Sequence, residues 1–108
     1  RAEKSKMGKN RDIKSLMDLI TNTVVHAIVA KHTNRPESKH FLDSEVVEYR
    51  GQTERKAEQH NWNSEDINYI KEEVLKNIKK KLSFKYPDIA YSLKEAEALV
   101  DKEIQNIA

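Results

Sequence analysis

Between Ile13 and Ile28 apolar residues recur every three or four positions: Ile13, Leu16, Met17, Ile20, Val24, Ala27 and Ile28. That spacing gathers them on one face of an α-helix, and Leu19, Val25 and Val29 widen the stripe. The pattern predicts a helix over residues 10–31, the most apolar part of the chain and the expected centre of its core. Asn10 is its expected N-cap, with Asp12 at the positive end of the helix dipole. Residues 1–9 are polar, basic and aperiodic, and read as a flexible basic arm ahead of the domain.

Three further stripes follow. Leu42, Val46 and Tyr49 mark a second helix over about 36–58, with Pro36 at its first position after Asn34 or Arg35; Asp43 or Ser44 offers a second start. Its stretch Gln52 to Gln59 is nearly all polar, and reads as a solvated helix or a loop. A third helix over about 63–83 carries Ile67, Ile70, Val74, Ile78 and Leu82, with Leu75 beside them. Asn63 caps it, Glu65 and Asp66 fill its first turn, and Trp62 with Ile67 forms a hydrophobic staple. Phe84, Tyr86 and Pro87 close it. A fourth, over about 92–107, opens on the capping-box pattern Ser92 to Glu95 and buries Leu93, Ala96, Val100, Ile104 and Ile107. The fold class expected is all-α: four amphipathic helices forming one domain over residues 10–108.

Composition sharpens this picture. Only 37% of the 108 residues are apolar and 35% are charged, against about 45–50% and about 25% in ordinary globular chains. Narrow stripes on helices suit so thin a core, and self-association would relieve it. Two glycines and two prolines leave few tight turns, which disfavours an all-β fold. With no cysteine there is neither a disulfide nor a thiolate site, and the expected compartment is the cytoplasm. The longest apolar run, Val24 to Ala30, is short for a bilayer, so no membrane span is expected within the chain.

The net charge of +2 hides a mosaic. Residues 1–14 carry six basic and two acidic side chains, and residues 71–85 again six and two. Residues 15–70 carry six basic and nine acidic, and residues 86–108 two and five. The block Lys76, Lys79, Lys80, Lys81 and Lys85, with Arg11 from the first basic block, is the candidate contact for nucleic acid or an acidic partner. Its plainer reading is a helix end: lysines there complement the dipole, and their stems cover apolar surface. A helix-turn-helix is not expected, because Phe84 to Tyr91 is longer than its turn of about 3–4 residues.

Little else points to chemistry. Arg35 and His40, and again Arg55 and His60, stand five residues apart. An arginine can hold a scissile phosphate while a histidine moves a proton. This spacing resembles the Arg-x4-His signature of the HEPN ribonuclease superfamily, whose domains are four-helix bundles of about this size. The resemblance covers six residues each time and implies a metal-independent ribonuclease. Here Pro36 or Lys56 follows the arginine, where that family has Asn or Asp.

No metal site and no cofactor are expected. Glu37 and His40 have one Glu-x-x-His spacing, whereas a di-iron helical site needs two and further glutamates. His26, within the apolar run, reads as a core-edge histidine hydrogen-bonded to a carbonyl. Glu72 with Glu73, and Glu95 with Glu97, follow polar faces, without the burial that general-acid work requires.

The expected function is therefore that of a non-catalytic helical module acting through protein contacts, as an adaptor, regulatory or oligomerisation domain. Trp62, Tyr49 and Tyr69 are its candidate contact residues, since aromatic residues concentrate interface energy. Nucleic-acid binding through the basic arm and the Lys76 to Lys85 block is the alternative, and the ribonuclease a third.

Overall fold

The structure, a computed structural model, describes residues 2–107, and their side chains from residue 10 onward. It contains four helices and, among the described residues, no strand: α1 (Ala2–His32), α2 (Pro36–Ala57), α3 (Ser64–Lys85) and α4 (Leu93–Ile107). The all-α bundle read from the periodicities is the fold.

α1 begins at Ala2 rather than Asn10, so helix runs through the segment read as an arm. Ala, Glu, Lys and Met are all strong helix formers, and only Gly8 resists at about 1 kcal/mol. Aperiodicity there removes a reason for burial, not the capacity for helix. Asp12 therefore lies inside α1 and not at its dipole end.

α1 packs against each of the other three helices and α4 packs against α2 and α3, while among the described residues α2 and α3 are not packed against each other. The order around the bundle is thus α1, α2, α4, α3. A three-residue connection, 33–35, makes α1 and α2 antiparallel neighbours. Leu16, Ile20, Val24 and Ile28 of α1 meet Ile70, Val74, Ile78 and Leu82 of α3 in the core, and α4 adds Ala96 and Val100. Each fully buried Leu or Ile stabilises by roughly 1.5–3 kcal/mol.

Asn10–His32 does have the length and composition to cross a bilayer, contrary to the expectation from its longest uninterrupted run. Here 56% of its most apolar window is buried inside the bundle.

Pro36 takes the first position of α2 after Arg35, whose backbone is extended; the later start at Asp43 or Ser44 is not used. α2 also continues through the polar stretch as far as Ala57, because Thr53 and Ala57 are buried against the core. In α3, Asn63 accepts from the Asp66 N–H at 2.8 Å while Asp66 accepts from the Asn63 N–H at 3.1 Å, a reciprocal box. Phe84 and Lys85 stay in this helix rather than ending it.

Only half of the box expected on α4 forms. The Glu95 N–H donates to Ser92 Oγ at 3.1 Å, but the Glu95 carboxylate turns away to α1. Leu93, expected in the core, is exposed, since it precedes the turns of α4 that pack.

Candidate interaction surface

The buried residues of α3, Ile70, Val74, Ile78 and Leu82, are all apolar, and its outward side carries a sequence of contrasts. Tyr69 is 50% exposed near one end, Glu72 and Glu73 follow, then Lys76, Lys79 and Lys80, and Phe84 stands 87% exposed at the other end. At 100° per residue, Tyr69, Glu73, Lys76, Lys80 and Phe84 fall within one narrow stripe. Among the described residues Glu72, Lys79, Lys80 and Lys85 form no ion pair, and Lys76 has only Glu73 at 4.0 Å. Lys81 differs: it points sideways and donates to the Asn22 side chain on α1. Of the five lysines proposed from the sequence, four therefore present free or loosely held charges. Arg11 is exposed on α1.

A cleft of about 730 Å³ runs between the N-terminal half of α3 and α1. Ile13, Met17 and Tyr69 supply its apolar lining, and Asp18, Glu65, Asp66 and Glu73 outnumber its one basic group, Lys14. Acidic cleft and basic stripe thus occupy opposite ends of the same helix.

The three aromatic residues singled out from the sequence part company. Tyr69 lies on this surface. Trp62 is half-buried against the core, and its indole N–H donates to the Ala57 carbonyl at 2.8 Å. Tyr49 is half-buried, its ring 5.3 Å from that of His26. His26 does not make the expected hydrogen bond: its Nδ1 is buried without a partner. Burial holds its pKa below the ordinary histidine value, with Lys81 and Lys85 acting in the same direction against Glu45.

Three polar ties fix the helices behind the surface. His32 on α1 meets both oxygens of Glu95 at 3.0 and 3.1 Å, with Lys31 at 3.5 Å. The Glu95 pKa lies below the usual carboxylate range: desolvation opposes the shift, and the His32 and Lys31 interactions outweigh it. At the other end of α1, Asp12 accepts from His60 at 2.5 Å, with Lys56 at 3.5 Å. The His60 hydrogen bond holds the Asp12 carboxyl below its usual range. Between α2 and α4, Arg50 Nε donates to both oxygens of Glu103 at 3.0 and 3.2 Å.

Glu103 is buried, a placement the sequence reading missed. The signal was available, because residues 96, 100, 103 and 107 share one helical stripe.

The two Arg–His pairs lie at opposite ends of α2. Arg35 is its N-cap and His40 is exposed in its first turns; Arg55 is exposed in the last turn, and His60 lies beyond the helix, tied to Asp12. The helix between them is about 30 Å long, so the two pairs are separate candidate sites.

No family model, curated protein or solved structure matches the chain.

Proposed function

We propose that this chain is a non-catalytic helical module that works by docking against protein. The observation that carries the reading is the position of its phenylalanines. The chain has only two, and both are at the surface: Phe41 on α2 is 62% exposed and Phe84 on α3 is 87% exposed. A chain short of apolar residues gains most by burying its largest ones. Bulky apolar side chains left outside among charged neighbours suit a surface that a partner covers.

A photo-reactive benzophenone amino acid placed at Phe41 and at Phe84 tests this in the producing cell, with exposed Ser44 as the control position. Protein adducts at either phenylalanine position, above the control, are the expected result. No protein adduct at either position overturns the reading.

One observation favours a second reading. Phe84 lies among Lys79, Lys80 and Ser83, and an aromatic face among lysines is what stacks and neutralises a single-stranded nucleic acid. Anisotropy of a labelled oligonucleotide across a salt series separates the two. Nucleic-acid binding is strongest at low salt and falls steeply as salt rises.

A further inference from the structure

We infer that the docking partner of α3 is a second copy of this chain, paired antiparallel about a two-fold axis near Lys76 and Asn77. The inference rests on the protein-docking reading above and names its occupant. It follows from two features of one helix, a knob and a matching cleft.

The knob is Phe84, flanked by Lys79 and Lys80. The cleft is the one between α1 and α3, apolar at Ile13, Met17 and Tyr69, whose four carboxylates outnumber its one cation, Lys14. Both features lie on the same side of α3 but toward opposite ends. A two-fold axis between them brings each knob to the other copy's cleft, and so makes every contact twice.

The register follows from the numbering. Placing Phe84 opposite the second copy's Tyr69 sets Lys80 opposite Glu73. Acid then meets base on either side of the axis. At the axis Lys76 lies beside its counterpart in the second copy, and Glu73 of its own chain, at 4.0 Å, offsets that repulsion. A parallel pair would set lysine on lysine and glutamate on glutamate, and is excluded by repulsion. In this register the helices overlap over residues 68–85, so the contact surface is about 27 Å long, one helix face wide, and at the small end of specific interfaces. A surface of that size held partly by exposed charges makes a weak, salt-sensitive dimer.

Sedimentation velocity of the wild-type chain over about 1 µM to 1 mM should show reversible dimerisation that weakens as salt rises. Glu73→Lys and Lys80→Glu should each weaken it about tenfold or more, since each change acts twice across the axis. Circular dichroism and melting keep these surface variants comparable as folded proteins. Mixing the two should restore association as a heterodimer, because the lysine introduced into one copy then faces the glutamate introduced into the other. The chain has no cysteine, so the register is checked separately: Tyr69→Cys mixed with Phe84→Cys should cross-link under mild oxidation, and Tyr69→Cys alone should not.

A strict monomer at 1 mM overturns this inference, while protein adducts at Phe84 would leave the broader docking reading standing. Failure of the mixed variants to associate also overturns it, as does association that disappears on nuclease treatment. Restored association in the mixture, with the 69-to-84 cross-link, supports it.

Discussion

Replacing Arg50 with methionine should destabilise the fold far more than its partly exposed position suggests. Its partner Glu103 has a side chain only 4% exposed, and the carboxylate accepts both bonds from Arg50 Nε, at 3.0 and 3.2 Å. Arg50→Met leaves that carboxylate buried without its counter-ion. Breaking a fully buried pair costs about 3–5 kcal/mol. The Arg50 side chain is 34% exposed, so water relieves part of the loss, and the expected cost is about 2–3 kcal/mol. For a domain of this size that lowers Tm by roughly 10–20 °C. The reverse deletion is asymmetric. Glu103→Leu frees an arginine that already reaches solvent and puts an apolar side chain where the core is, so it should cost less than Arg50→Met. The double variant should lie within about 1 kcal/mol of wild type, since replacing both partners removes the buried charge itself. Urea unfolding followed by circular dichroism, with equal slopes across the four proteins, measures the cycle. Additive losses, or an Arg50→Met cost under about 0.5 kcal/mol, would refute the reasoning.

Three further outcomes are expected. Gly51 sits inside α2 without a positive φ, and a Cβ there would meet only Arg55 Nη1 at an ordinary 3.5 Å. Gly51→Ala should therefore raise stability by about 0.5–1 kcal/mol, measured as a higher urea midpoint. Asn63→Ala removes the side chain that caps α3 and should cost about 0.5–2 kcal/mol in the same assay, with Asn63→Ser recovering most of it. The third concerns pH. Asp12 and Glu95 have folded pKa values below their ordinary ones, so the unfolded chain binds more protons and stability falls as pH drops through and below about 4. Asp12→Asn should flatten that acid limb of the Tm profile. His26, also lowered, contributes a separate loss as pH falls below about 6.5, which His26→Phe should remove; unchanged profiles would contradict both assignments.

Periodicity determined that there are four helices and which face of each is buried, though not how far α1 and α2 extend, because burying a stripe at 3.6-residue spacing is a local requirement that each segment states for itself. Ile13 to Ile28, Ile70 to Leu82 and Ala96 to Val100 all face inward as their spacing demands. The Asn63 cap was equally legible, since its partners lie within one turn. Long-range partnership was not. Glu95 carries a capping-box spacing, yet it serves His32, 63 residues away, because the folded bundle brings a second donor within 3.0 Å. Glu103 and Arg50, 53 residues apart, become a buried pair only when α2 and α4 pack. The basic block was visible as composition. That its lysines and Phe84 share a helix with an acidic cleft was decided by which side of α3 the core had already taken, and core packing is a property of the whole chain.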